Sequence, residues 1–128
     1  MKGIGEYLQF HASALQLRSR RNEILASNIA NAATPHFKAR DLDFDTEIRR
    51  VGGLGNLDTS NVKHFASASH AASDPVKYRQ PITSSMDGNT VELNVEQMEF
   101  SENVVRYQTT LGFLNRRING LLSAIKGE

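Results

Sequence analysis

The 128-residue sequence contains no cysteine, no tryptophan and only three prolines. Without cysteine, the chain cannot form disulfides, thiol nucleophiles or thiolate metal sites. Lys and Arg total 15 against 14 Asp and Glu, a balance that argues against a phosphate-binding surface and predicts no nucleic-acid partner. No run of about 18 apolar residues occurs, so we expect no transmembrane segment. The N-terminus also lacks the apolar region of a cleaved signal peptide.

Sequence motifs for catalysis are missing too. The four histidines show no HExxH spacing, and neither a GxGxxG nor a GxxxxGK[ST] phosphate loop is present. Residues 41–47 resemble the start of a calcium-binding EF-hand loop, but Thr46 and Gly52 stand where glycine and glutamate are required. We therefore predict that the chain is not an enzyme and that it holds no cofactor or metal.

The C-terminal segment has the most regular pattern in the chain. Between residues 97 and 125, nine positions follow one another at alternating spacings of three and four residues. All of them except the first hold apolar or aromatic side chains. This heptad seam predicts a helix from about Val95 to Lys126. Such a helix would be roughly 48 Å long, too long for a small core, so it must pack against another long helix in this chain or a neighbour. The seam comprises Gln97, Phe100, Val104, Tyr107, Leu111, Leu114, Ile118, Leu121 and Ile125.

Several residues mark the start of this helix. Asn94 suits an N-cap, and Gln97, three residues later, would complete a capping box. The four glutamates between residues 92 and 102 are expected to stabilise the positive end of the helix dipole. The sequence Asp87-Gly88-Asn89 predicts a turn just before the helix.

A second long helix is predicted from about Ile4 to Ala33. Its apolar face is interrupted in the middle by Arg18 and Asn22. Such an interruption either fixes the register and choice of a partner helix or forms a solvated waist on a surface helix, and the pattern leaves both open. Pro35 disfavours helical geometry at Thr34, so the helix should end near Ala33.

The segment between the two helices has a different character. Leu42 and Phe44 alternate with aspartates, and a helical turn is expected from Asp45 to Val51. Residues 52–56 are rich in glycine and predict a flexible break. Residues 57–85 carry few large hydrophobic side chains and no sustained period, which predicts a loop-rich insert with short strands at most.

These elements together predict a mainly α fold. The long N- and C-terminal helices should pair as an antiparallel coiled-coil hairpin with an irregular, loop-rich insert. The expected organisation is one structural domain with three parts. They are the N-terminal helix and its following motif (1–40), an outward-facing insert (41–90) and the C-terminal heptad helix (91–128).

Two segments resemble a known family. Residues Leu25 to Asp41 closely resemble the LAxNIANxxTPxY/F signature of the bacterial flagellar rod, hook and hook-associated axial proteins. Asp87 to Val91, followed by Glu96, Phe100, Asn103 and Tyr107-Gln108, is similar to the C-terminal pattern of a proximal rod protein. His36 replaces the glycine that is frequent after Thr-Pro, which predicts that the turn after Pro35 needs no positive φ.

The resemblance implies a structural subunit of the flagellar proximal rod. Such proteins assemble helically with copies of themselves and with other axial proteins, transmit torque and form the export channel. It also implies contacts with an adaptor, the export gate and the membrane ring at the rod base. The expected location is the basal body, at the inner membrane and periplasm, after export without a cleaved signal peptide.

Candidate subunit-interface residues come from the signature and from the heptad seam. They are Leu25, Asn28, Ile29, Asn31, Thr34, Pro35, Phe37, Phe100, Val104, Tyr107, Leu111, Leu114, Ile118, Leu121 and Ile125.

Two other functions fit the same amphipathic helices. One is a DNA-binding helical hairpin, whose binding would weaken steeply with salt. The other is a secreted regulatory protein, which would fold alone as a defined small oligomer, whereas a rod subunit would stay partly disordered until it meets its neighbours.

Overall fold

The computed structural model describes residues 4–52, 61, 63 and 76–127 of the chain. The fold is mainly helical, as predicted, with a small two-stranded sheet in the insert. The elements are α1 (Ile4–Ala30), β1 (Arg40–Leu42), α2 (Phe44–Val51), β2 (Val76–Tyr78) and α3 (Leu93–Lys126). None of the helices among the described residues is long and apolar enough to cross a membrane.

The two long helices, α1 and α3, pack against each other in opposite directions. Arg18, in the middle of α1, contacts Asn103, whereas Asn28 near the end of α1 contacts Glu96 close to the start of α3. The predicted helical hairpin is therefore confirmed. Since α3 has 34 residues and α1 has 27, α3 extends past Ile4, the start of α1, by roughly two turns.

The ends of both helices differ from the prediction. α3 begins at Leu93 with Glu92 in the N-cap position, and Glu92 makes no side-chain capping bond. The capping box predicted from Asn94 and Gln97 is therefore wrong, because both residues lie within the first turns of the helix. α1 ends at Ala30, three residues earlier than expected, and irregular turns cover the next three residues.

The insert begins with a short strand and a short helix. Asp43 caps α2, since its side chain accepts a hydrogen bond from the backbone N–H of Thr46 at 3.2 Å. Strands β1 and β2 pair in antiparallel register, with Leu42 opposite Val76. The predicted break at 52–56 and the loop at 57–85 lie largely outside the described residues, which include only 52, 61, 63 and 76–85 of that stretch.

The interior contains polar as well as apolar side chains. The buried hydrophobic residues are small in number: Ala14, Leu25, Ala39 and Leu42. The buried polar residues are Asn28, Glu47, Asn89, Glu96 and Asn103. Because a buried polar group is costly unless it is hydrogen-bonded, these polar side chains must hold specific partners.

Candidate functional site

Asn28 joins three parts of the chain at one point. Its side-chain nitrogen donates to the Arg40 carbonyl at 2.7 Å and to Glu96 Oε2 at 3.0 Å. Its side-chain oxygen accepts from the Arg40 backbone N–H at 3.1 Å. Asn28 and Glu96 are both fully buried. One side chain of the signature therefore ties α1 to the segment after it and to α3.

A network of charged side chains surrounds this point. Arg21 donates two hydrogen bonds to Asp41, both 2.9 Å long, and a third to Glu99 at 2.8 Å. Arg79, just after β2, also bonds Asp41 and donates to Glu96 Oε1 at 2.7 Å. The buried Glu96 carboxylate thus has both oxygens paired, one with Asn28 and one with Arg79. Paired arginines of this kind can keep a carboxylate ionised away from water.

The arginines also perturb the acidity of Asp41. Partial burial by itself would raise the pKa of Asp41, but hydrogen bonds from Arg21 and Arg79 outweigh it, so the pKa is lowered. The hydrogen bond with Asp41 in turn raises the pKa of Arg21. Asp41 is therefore ionised at neutral pH.

A second polar layer lies one to two turns further along the helix pair. The buried Asn103 donates to the Arg18 carbonyl and to Asn22 Oδ1, both at 2.8 Å. The Arg18 guanidinium lies 4.2 Å from the centre of the Phe44 ring, and burial lowers the pKa of Arg18, as do the nearby Arg106 and Arg21. The polar interruption in α1 is thus not a solvated waist, because it faces a buried asparagine of the partner helix.

Asn89, from the predicted turn, caps the end of α1. Its side-chain nitrogen is within 3.1 Å of three carbonyl oxygens, those of Asn31, Ala32 and Thr34. Its side-chain oxygen accepts from the Val91 backbone N–H at 2.8 Å. These carbonyls belong to the turns that follow α1, and the segment that leads into α3 supplies the donor that they need.

The turn after Pro35 has the left-handed backbone that the sequence did not predict. His36 has φ of 61°, although it is not glycine. Its backbone N–H donates to the Asp87 carbonyl at 3.1 Å, and its Nδ1 lies so close to Gly88 that an added Cβ there would be only 3.0 Å away. Gly88 also has positive φ, at 74°. The prediction for His36 was wrong because contacts with the turn at Gly88 hold its backbone in this conformation.

The predicted interface residues fall into three groups by exposure. Leu25 and Asn28 are fully buried within the chain, where they support the hairpin. Those that are half-buried are Ile29, Asn31, Phe37, Phe100, Val104, Tyr107, Leu114 and Leu121. Those that are exposed are Thr34, Pro35, Leu111, Ile118 and Ile125. The signature residues and the end of the seam are not brought together. The signature lies beside the start of α3, whereas the seam ends near the C-terminal end of that helix.

The heptad seam is displaced by one residue from the face of α3 that meets α1. The fully buried residues of α3 are Glu96 and Asn103, each one position before a seam residue. Apolar side chains therefore remain in contact with water along the C-terminal half of α3, with exposed fractions from 37% at Ile118 to 73% at Ile125. The helix also exposes Val105, just before this half, and Phe113 and Leu122 within it, none of which the seam included.

Sequence reasoning missed several polar residues of the hairpin interior. Glu96 was assigned to the helix dipole, yet it is fully buried and paired. A usable signal was present, because Glu96 and Asn103 are seven residues apart and so share a face of the helix. Arg79 lies in a segment with no periodicity, and nothing in the sequence marks it as the partner of Glu96 and Asp41.

This arrangement is built for packing rather than for chemistry. Among residues 4–52, 61, 63 and 76–127, no group of three or more His, Asp or Glu side chains could hold a metal ion. Around Asn28, the charged side chains of Arg21, Arg79, Glu96 and Glu99 are hydrogen-bonded to partners in the chain. The surface of α3 that α1 leaves uncovered is apolar. What such a surface can do is bind another apolar surface.

Comparison with known proteins identifies the family. A sequence profile described as "Flagella basal body rod protein" matches residues 8–38. The chain is 59% identical to the flagellar basal body rod protein FlgB of Cereibacter sphaeroides over 128 residues, the whole of both chains. It is 40% identical to the FlgB of Salmonella typhimurium, covering 94% of this chain and 93% of that one, and 39% identical to that of Escherichia coli, covering 93% and 92%. The chain therefore belongs to the FlgB family and is a structural subunit of the flagellar basal-body rod.

Proposed function

We propose that the chain serves in the proximal part of the rod, where it assembles helically with copies of itself and with other axial proteins. In this position it transmits torque mechanically and helps to form the wall of the export channel. The observation that carries the proposal is the apolar surface of α3 that α1 leaves uncovered. In water such a surface is unfavourable, and burial between subunits removes that cost.

The predicted interface residues divide between two roles in this proposal. The exposed seam residues Leu111, Ile118 and Ile125 would contact a neighbouring subunit directly, as a shared coiled coil. Thr34 and Pro35, exposed after the end of α1, would form a second contact. Leu25 and Asn28 would act indirectly, since they hold the hairpin that positions those surfaces.

We further propose that the chain has no catalytic activity and needs no cofactor. The partners suggested by the family resemblance are an adaptor, the export gate and the membrane ring at the rod base. The corresponding location is the rod at the inner membrane and periplasm, reached by export without a cleaved signal peptide. Within the chain, residues 1–40 and 91–128 would line the rod, and residues 41–90 would face outward.

A charge placed in the seam tests the proposal. Ile118→Asp puts an unpaired carboxylate into an apolar interface, at a cost of several kcal/mol. Ile118 is already exposed in the single chain, so the hairpin should be little affected. We expect swimming and incorporation into basal bodies to be lost, while the exported protein remains detectable outside the cytoplasm.

The neighbouring residue provides the control. Asn119→Asp adds the same charge one position away, at an exposed polar site, and should leave motility within about twofold of the unsubstituted protein because surface substitutions usually have small effects. Motile cells with Ile118→Asp would contradict the seam interface. Loss of export in the same cells would mean that the secretion apparatus recognises α3.

A further inference from the structure

The loop that precedes α3 exposes two large apolar side chains almost completely. Met86 is 107% exposed and Ile82 is 86% exposed, and they are four residues apart in the segment 80–92, here named the presenting loop. Single exposed apolar residues are common on protein surfaces and need no explanation. Two exposed apolar residues in one short loop do need an explanation if the loop is held in a fixed conformation.

Hydrogen bonds to Glu92 fix the first half of the presenting loop. The Glu92 carboxylate accepts from the backbone N–H of Ile82 at 3.2 Å and from that of Thr83 at 3.1 Å. This explains why Glu92, at the N-cap position of α3, makes no capping bond to the helix. The chain thus uses this carboxylate to shape the loop rather than to cap the helix.

The second half of the loop is attached to the end of α1. The Gly88 backbone N–H donates to the Ser85 carbonyl at 3.2 Å, and the Asn89 backbone N–H donates to Asp87 Oδ1 at 3.0 Å. Asn89 is itself buried against carbonyls of the turns that follow α1. Since the loop is tied on both sides, Ile82 and Met86 are held outward by the fold.

The charges of the loop and of the opposite end of α3 are complementary. The presenting loop contains Asp87 and Glu92 and no Lys or Arg. A hydrogen bond from Ser85 lowers the pKa of Asp87, which therefore stays ionised. By contrast, residues 112–127, here named the tail, contain no Asp or Glu and have basic residues at Arg116, Arg117 and Lys126.

The tail also exposes apolar side chains, Phe113 on one face of the helix and Leu122 and Ile125 on the opposite face. Loop and tail lie at opposite ends of a helix roughly 50 Å long, so they cannot meet within one chain. Unlike surfaces at opposite ends of a subunit make a heterologous contact, which generates an open helical assembly when the rotation between subunits does not close into a ring.

We propose that the presenting loop docks on the terminal helix of a neighbouring rod subunit, at an apolar surface flanked by basic residues, of which this chain's own tail is an example. Ile82 and Met86 supply the apolar contact, and Asp87 and Glu92 supply the charges that orient it. The proposal rests on the proposed function, because it requires rod neighbours.

Photocrosslinking in isolated basal bodies tests the contact directly. A benzophenone amino acid replaces Met86, and the same replacement at Arg49, exposed in α2 and outside both proposed contacts, is the control. We expect the probe at position 86 to crosslink to the terminal helix of an adjacent rod subunit, and the probe at position 49 not to reach that helix. Crosslinks from position 86 only to a ring protein, or to residues of the same chain, would overturn the proposal.

Substitution of the loop separates this proposal from the proposed function. Ile82→Asp and Met86→Asp should each reduce incorporation into basal bodies by about tenfold or more, as expected for a central apolar contact. Ser84→Asp, exposed in the same loop, should change it by less than about twofold. If the unsubstituted chain enters basal bodies and Met86→Asp enters equally well, the loop contact is wrong and the rod function stands. If the unsubstituted chain never enters, the rod function itself fails.

Discussion

The two halves of the helix pair meet their surroundings in opposite ways. The half that contains the end of α1 and the start of α3, here named the head, has buried polar side chains whose partners all lie in the same chain. The C-terminal half of α3 has apolar side chains that remain exposed. The polar side chains of the head are therefore paired within one molecule, whereas the proposed assembly buries the exposed apolar side chains of the tail.

This difference gives the polar network a structural purpose. Arg21 and Arg79 connect α1, β1, the end of β2 and α3, and each bond has a defined direction. An apolar contact of the same size would tolerate sliding or rotation of one helix on the other. The network fixes a single register, which a subunit requires if its exposed surfaces are to meet neighbours in a repeating assembly.

The largest effect is expected from breaking the head at its buried carboxylate. Glu96→Ala leaves Arg79 and Asn28 without their partner in the interior, which should cost about 3 to 5 kcal/mol of unfolding free energy. Glu102→Ala, which removes an exposed pair with Arg106, should cost less than about 0.5 kcal/mol. Urea unfolding followed by circular dichroism compares the two. Equal losses would show that the buried network does not dominate the stability of the head.

A smaller effect is expected from acid, through Asp41. Its pKa is lowered in the folded chain, so its stabilisation is complete above the ordinary carboxyl value, about 3.9, and is lost as the pH falls through the folded pKa. The loss should be about 2 kcal/mol, since Asp41 is partly exposed to solvent. Asp41→Asn should be less stable at pH 6 and should lose less between pH 6 and pH 3. If urea unfolding shows that the unsubstituted chain and Asp41→Asn lose the same unfolding free energy between pH 6 and pH 3, this role is contradicted.

The contact between His36 and Gly88 should produce a smaller change again. Gly88→Ala forces a Cβ into a left-handed backbone and to within 3.0 Å of His36 Nδ1, for an expected cost of about 1 to 2 kcal/mol. His36→Gly removes the strain of a left-handed histidine but frees the unfolded chain, so we expect a change below about 0.5 kcal/mol.

The two substitutions together measure their coupling. In the His36→Gly background, the Cβ of Gly88→Ala no longer meets the imidazole ring. The substitution should then cost only the free energy of placing alanine in a left-handed backbone. A double-mutant cycle from thermal unfolding gives this difference. Strict additivity would mean that the two turns do not touch in solution.

The helices could be predicted well from the sequence, whereas the polar contacts that join the insert to the helices could not, for physical reasons. Heptad and helical spacing depend only on local positions, so α1, α3 and their pairing could be inferred, and Asn28 could be recognised as a polar group able to reach a neighbouring helix. The pairing of Arg79 with Glu96 and Asp41 joins segments far apart in the chain, and no periodic pattern specifies it. His36 shows the same limit, because a tertiary contact with Gly88 overrides the conformational preference of the residue.

The central claim is that contacts within one chain stabilise the head, whereas contacts with neighbouring subunits stabilise the tail. Amide hydrogen exchange of the isolated chain, resolved by residue and compared with the chain in basal bodies, tests it most directly. We expect strong protection at residues 21–31 and 93–103 in the isolated chain, and weak protection at residues 112–126 that becomes strong after assembly. Tail amides as strongly protected as head amides in the isolated chain would contradict the account.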